Sequence, residues 1–251
     1  WGRAGETWSF MAAIKRLGGE SWFNLGDQDL ATHVERTRRL KADPPETLSA
    51  VTADLCRRLG IRHQVVPMSD DPVRTIVETD EGRLPFQDYF VRLGCRPVLR
   101  KLEFAGADHA RPSTALLEAI RGPALRAIVI CPSNPFLSIL PILSMPAVRA
   151  ALAERGAPVV AVSPIVGGQA IKGPAAKIMA ELGLDVSPKG IIAFYGELLD
   201  GLVIDNADQG LAQAADGPAI HVTGTIMRDR ADKARLARDV LDFAKRLTPR
   251  A

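Results

Sequence analysis

The sequence predicts an α/β fold built on a mostly parallel sheet. Helical and extended patterns alternate along the chain, as they do where helices connect parallel strands. The short runs 127–130 (Ala-Ile-Val-Ile) and 158–162 (Pro-Val-Val-Ala-Val) are apolar throughout, which marks strands buried on both faces. Hydrophobic residues make up 47% of the 251 positions but aromatics only 5%, so aliphatic side chains must build the core.

Each element has its own local signal. In 6–17, Trp8, Met11, Ile14 and Leu17 recur at helical spacing, and Gly18-Gly19 ends the helix. Asp29 is placed to cap a second helix reaching about Lys41. The stretch 41–46, with Pro44-Pro45, is a loop. Leu48, Val51, Leu55 and Leu59 share one face of a third helix that stops at Gly60. An extended piece, 64–67, leads to the acidic loop Met68-Ser69-Asp70-Asp71-Pro72. Segments 74–78 and 83–86 flank Asp80-Glu81-Gly82 and form a β-hairpin. A helix over 113–121 precedes the first buried strand. After the second, Pro174 opens a helix that Gly183 closes. Strands follow at 202–205 and 219–222. A last amphipathic helix, 229–247, carries Leu236, Val240, Phe243 and Leu247 on one face. There is no internal repeat and no low-complexity tract.

Lys plus Arg exceed Asp plus Glu by only 32 to 29, which carries no nucleic-acid footprint. Cys56, Cys95 and Cys131 form neither a C-x-x-C pair nor an even disulfide set, as expected in a reducing cytosol. Apolar stretches are short or broken by proline, as in 136–143, and none reaches membrane-spanning length. No secretory leader is legible, and the chain opens on Trp1 rather than Met.

Ligands of open parallel sheets bind outside the carboxyl ends of the strands. Two loops fall there. Cys131-Pro132-Ser133-Asn134-Pro135 places a hydroxyl and an amide between stiffening prolines, where they can donate to phosphate oxygens. The plainer reading is a rigid turn with Ser133 as a helix cap. Residues 163–174, with Gly167-Gly168 and Lys172, offer backbone N–H groups, a point charge and the start of a helix to a phosphate. The Walker spacing is absent, and two glycines and a lysine are common in α/β loops. Elsewhere, Asp27 and Asp29 precede His33 on a helix, where capping and a solvated ion pair are the simpler explanation. Ser69-Asp70-Asp71-Pro72 is either a turn or a holder of a metal or a substrate hydroxyl. His63, His109 and His221 have no second ligand at zinc spacing.

Taken in order, Gly26-Asp27-Gln28-Asp29-Leu30-Ala31-Thr32-His33, Pro67 to Thr75, Phe86-Gln87-Asp88-Tyr89-Phe90-Val91, Cys131 to Pro135, and Val162 to Gly168 with Lys172-Gly173-Pro174-Ala175 resemble the CofD family of 2-phospho-L-lactate transferases. The resemblance implies a Rossmann-like sheet with helices on both faces and an inserted helical and hairpin region, usually dimeric. It implies a donor in which guanosine diphosphate (GDP) carries lactate, enolpyruvate or a related acid. The acceptor would be the deazaflavin FO, whose ribityl hydroxyl attacks phosphorus while GMP leaves, with magnesium (Mg2+) assisting in coenzyme F-420 biosynthesis. Ser133 and Asn134 would contact the donor, with Ser163, Gly167, Gly168 and Lys172 lining the same crevice. Met68, Ser69, Asp70, Asp71 and Pro72 would lie near FO, and Asp27, Asp29 and His33 would shape its pocket.

Residues 1–125 would then be the acceptor side and 126–251 the nucleotide side of one integrated, cytoplasmic domain. The family's opening strand, Gly-rich loop and P-D-x-D-T motif, with its metal-binding aspartates, have no match. This implies a missing N-terminal segment, an unidentified catalytic and metal set, doubtful activity of the chain alone, and exposed strand edges that favour association. Two other readings compete. A related nucleotide-binding protein with another substrate would ignore FO. A helix-turn-helix regulator would use 47–61 and the basic run Arg36, Arg38, Arg39 and Lys41, but a strand follows where its recognition helix should be.

Overall fold

A computed structural model of the chain describes residues 3–212 and 217–248. Helix α1 (Ser9–Arg16) begins later than the apolar spacing predicts, because Glu6 and Thr7 bond to the next helix instead of joining the first. Helix α2 (Asp27–Leu40) corrects the expected cap. Gly26 is its N-cap residue, so Asp29 lies within the first turn. Helix α3 (Leu48–Arg58) is capped by Thr47, whose hydroxyl accepts from the Ala50 N–H at 3.2 Å. Arg39 of α2 pairs with Asp54 of α3 at 2.6 Å and with Glu46 in the connecting loop. Arg38 pairs with Glu35, and Arg36 contacts His33, so most of the basic run is engaged internally.

The expected hairpin forms from β1 (Arg74–Thr79) and β2 (Gly82–Pro85), with Val77 opposite Leu84. A strand absent from the sequence reading, β3 (Leu99–Ala105), pairs antiparallel with the other side of β1. A π-helical turn, Asp88–Arg92, lies between the hairpin and β3. Helix α4 (Thr114–Arg121) leads into β4 (Ile128–Ile130). The proline-broken run after β4 is helical: a π-helical turn at Pro135–Ile139, then α5 (Leu140–Leu143) and α6 (Pro146–Ala153). Strand β5 (Val159–Val162) is followed by the two-residue strands β6 (Ile165–Val166) and β7 (Gln169–Ala170). Helices α7 (Ala175–Glu181) and α8 (Pro188–Tyr195) precede β8 (Gly201–Ile204), β9 (Ala219–Val222) and α9 (Arg230–Ala244).

The larger sheet runs β4-β5-β8-β9, with every pairing parallel. The faces of β5 explain its two layers of helices. Val159 and Ala161 enter the main core, whereas Val160 and Val162 meet Leu236, Val240 and Phe243 of α9 on the opposite face. The main core also takes in Val77 and Leu99 of the antiparallel sheet, so one apolar cluster continues beneath both sheets. At the amino ends of the strands, Arg155 and Asp200 form a buried ion pair at 2.9 Å, and Asp200 also accepts the Val159 N–H at 2.7 Å. No single helix among the described residues is long and apolar enough to cross a membrane.

Candidate functional site

The chain segments leaving β4, β5 and β9 converge at the carboxyl ends of those strands. A cavity of about 230 Å³ there is lined by Asn134, Ser163, Lys172, Thr225, Met227 and Lys233 among its wall residues. Asn134, and not Ser133, caps the turn that follows β4. Its Oδ1 accepts from the Phe136 and Leu137 N–H groups at 3.0 and 3.1 Å. Since only the oxygen of an amide accepts, these bonds assign its orientation. The Nδ2 is then buried with no acceptor among the described residues. An unpaired buried donor costs on the order of 1–3 kcal/mol, a cost that a ligand oxygen would relieve.

The Lys172 and Lys233 side chains border the same space, and neither ammonium is paired among the described residues. Thr225 fixes a third wall. Its N–H and hydroxyl donate to Asp205 Oδ2 at 2.6 and 3.0 Å, while the Ala207 N–H reaches the other oxygen at 3.1 Å. Burial works to raise the Asp205 pKa, but the Thr225 and Ala207 N–H groups and the Thr225 hydroxyl hold it below the ordinary aspartate value. Asp205 therefore ties the end of β8 to the segment after β9 as a carboxylate.

In the neighbouring loop Ser163 lines the crevice as expected, whereas Gly167 and Gly168 do not. The Ser163 hydroxyl donates to Ile165 O and accepts from Ile165 N–H, so its one proton is used in folding the turn. Gly167 and Gly168 form the tip of the β6–β7 hairpin, with φ of +56° and +76°, the geometry that two-residue turns demand of glycine. The Gly167 N–H donates to the Asp208 carboxylate at 3.1 Å and is not open to a phosphate. Ser133 is outside the cavity lining, and its N–H closes a tight turn onto Cys131 O at 2.6 Å.

A second cavity, about 820 Å³, lies between α1, α2 and the π-helical turn. It presents Trp8, Phe23 and Phe90 beside Asp29 and His33. His33 Nδ1 lies 2.9 Å from the Arg36 guanidinium. A guanidinium only donates, which assigns Nδ1 as the acceptor and places the proton of the neutral ring on Nε2. The pairing expected between Asp29 and His33 does not form among the described residues. Asp27 caps α1 instead of facing the cavity: its carboxylate accepts from Thr7 Oγ1 and from the Ser9 and Phe10 N–H groups.

The acidic loop lines neither cavity and holds elements together. Met68 packs against the core, and Ser69 donates to Arg111 O at 2.7 Å. Asp70 accepts the Ser49 N–H at 2.6 Å at the start of α3. Asp71 pairs with Arg111, which holds its carboxyl below the usual range. The backbone of Pro72 lies against Gly106, where φ is +92° and a Cβ would stand 2.6 Å from Pro72 O. Among the described residues no three His, Cys, Asp or Glu side chains gather as a metal set. The sequence reading missed Lys233, the 225–227 wall and the aromatic lining of the second cavity. The position of 225–227 just beyond a strand's carboxyl end was the available signal for that wall.

The family model for 2-phospho-L-lactate transferase CofD matches residues 7–240, which includes all five sequence blocks. A phosphoenolpyruvate transferase from Kitasatospora aureofaciens is 40% identical over 255 residues, covering 98% of this chain and 78% of that protein. A 2-phospho-L-lactate transferase from Methanopyrus kandleri is 38% identical over 239 residues, covering 93% and 74% respectively. Among solved structures, a UPF0052 family member from Bacillus halodurans is similar at a TM-score of 0.49 and 17% identity, over 76% of this chain and 66% of that one.

Proposed function

This chain belongs to the 2-phospho-L-lactate transferase CofD family, and on that premise we propose that it transfers a phospholactyl-type group from a guanosine diphosphate ester to the ribityl hydroxyl of FO. GMP is released, and the product lies on the route to coenzyme F-420. The supporting observation is the crevice at the carboxyl ends of the parallel strands, whose lining includes Asn134, with its unpaired Nδ2, and Lys172.

In that crevice the Asn134 Nδ2 donates to a phosphate oxygen of the donor, and Lys172 supplies a point charge beside it. The acceptor oxygen attacks the phosphorus bearing the three-carbon acid. A new P–O bond forms, the bond to the bridging oxygen breaks, GMP leaves with that electron pair, and the hydroxyl proton passes to solvent. Such a transfer depends on positioning and charge stabilisation, without a covalent protein intermediate.

The aromatic cavity suits a flat acceptor: Trp8, Phe23 and Phe90 are among its lining residues, and His33 Nε2–H offers a donor. The loop 68–72 would act on FO indirectly, by holding α3 and the 106–113 segment in place. We place the chain in the cytoplasm as a homodimer with small-molecule substrates.

The test is to supply FO with guanosine diphosphate esters of lactate and of enolpyruvate, then follow FO conjugates and GMP by chromatography. Equal amounts of conjugate and GMP support the reading, and the faster ester identifies the acid. A folded chain that binds neither FO nor GDP overturns it.

A further inference from the structure

Lys233 belongs to none of the sequence blocks above, yet it lines the crevice together with Lys172. It lies in the first turn of α9, after β9, whereas Lys172 follows β7 in the excursion from β5. In the sheet β8 separates those two strands. Parallel neighbours are about 4.8 Å apart, so the segments carrying the two lysines leave the sheet roughly 10 Å from one another. Both side chains nevertheless line one cavity of about 230 Å³. Asn134, whose Nδ2 is buried and unpartnered among the described residues, is also among the lining residues.

Nearby acids leave Lys233 uncompensated. Asp229 caps its own helix by accepting the Asp232 N–H at 2.9 Å. Asp232 accepts the Arg228 N–H at 3.0 Å and lies 3.7 Å from Arg235. Arg235 itself is held by Asp239 and Gly224 O. Two unpaired cations, carried by segments from β5 and β9, therefore line one small space. Thr225, anchored on Asp205, lines the same space with the apolar Ile226 and Met227.

We propose that Lys233 is the second cation of a diphosphate clamp, so that the crevice selects a nucleoside diphosphate over the monophosphate. This rests on reading the crevice as the nucleotide side. A diphosphate spans both lysines, whereas a monophosphate satisfies Asn134 and Lys172 alone. The donor carries two phosphates and the GMP product carries one, so the clamp holds substrate and loosens on product.

Calorimetric titration of the chain with GDP, GMP, inorganic pyrophosphate and inorganic phosphate tests this on the parent, Lys233→Met, Lys233→Arg and Lys172→Met. Lys233 is exposed, so its variants are expected to melt as the parent does. The clamp predicts at least a tenfold loss of GDP affinity in Lys233→Met, less than a twofold change for GMP, and recovery in Lys233→Arg. Lys172→Met should weaken both nucleotides. Parent-like discrimination between GDP and GMP in Lys233→Met overturns the clamp and leaves the nucleotide reading standing. Lys233-dependent pyrophosphate binding without GDP binding overturns the nucleotide reading and leaves the clamp. No binding of any of the four removes both.

Discussion

Glu6 and Asp27 cap each other's helices. Asp27 opens α2, yet its carboxylate accepts the Ser9 and Phe10 N–H groups at the start of α1, both at 3.1 Å. Glu6 precedes α1, yet it accepts the Gln28 and Asp29 N–H groups of α2 at 3.0 and 3.3 Å. The exchange ties α1 to α2 although neither helix contributes a buried residue. It also sets the position of Trp8 and Asp29 on the aromatic cavity.

This arrangement makes α1 docking acid-sensitive. The Thr7 hydroxyl, then the Phe10 and Ser9 N–H groups, hold the Asp27 pKa below its ordinary value. A depressed folded pKa gives stabilisation that is complete above the unfolded value of about 3.9 and is lost as pH falls through the folded one. Hydrogen-exchange protection at Ser9 and Phe10, taken relative to the intrinsic rate at each pH, should hold down to about pH 4 and fall below it. Asp27→Asn should exchange faster at neutral pH and show no such acid step.

Asn134 separates capping from ligand binding. Asn134→Asp keeps an acceptor for Phe136 and Leu137 but replaces the free donor with negative charge. It should melt near the parent while GDP affinity falls tenfold or more. Asn134→Ala should lose affinity and also about 1 kcal/mol of stability with the cap. Equal GDP affinity in parent and Asn134→Asp would remove this residue from the site.

Acceptor binding should depend on Trp8 with little effect on folding. The side chain is half exposed, so Trp8→Leu removes an aromatic ring from the cavity lining while little core packing changes. Base–aromatic stacking is worth about 1–3 kcal/mol per ring, so FO fluorescence titration should show roughly tenfold weaker binding with an unchanged melting temperature.

Breaking the Arg155–Asp200 pair should be severe, because the side chains are 5% and 1% exposed. Arg155→Met takes the guanidinium away from a buried carboxylate and should cost about 3–5 kcal/mol in denaturant unfolding. The pair is at the amino ends of the strands, so residual folded protein should keep its GDP affinity. A loss below 1 kcal/mol would mean that water reaches Asp200 freely.

Gly190 leaves no room for a side chain. A Cβ there would stand 1.8 Å from Asp185 O and 2.8 Å from the Met179 methyl. Gly190→Ala must push α8 away from α7, at about 1–3 kcal/mol, seen as a melting temperature lower by several degrees.

Signals carried by near neighbours were legible in the chain itself. The apolar run at 158–162 identified β5, whose four residues are buried on both faces, because such a strand leaves no position for a polar side chain. The run at 127–130 identified β4 as a strand but not its burial: β4 ends the four-stranded order and Val129 is exposed. Asp80 and Glu81 between two alternating segments identified the hairpin, and the five ordered blocks identified the family. Strand β3 and helix α8 were missed. Arg100 and Lys101 interrupt the alternation of β3, and the short apolar run of α8 fits helix or strand equally well.

Only the folded chain decided which polar groups were already taken. Glu6 found N–H groups of α2, Asp71 found Arg111, and Asp208 took the Gly167 N–H that the sequence offers to a phosphate. It also brought Lys233 to Lys172 across an intervening strand. The reason is range. Helix periodicity, turns and caps act over about four residues and leave a local pattern. A hydrogen bond between positions tens of residues apart has no counterpart in sequence spacing, because the sheet register and helix packing that close the distance are properties of the assembled fold.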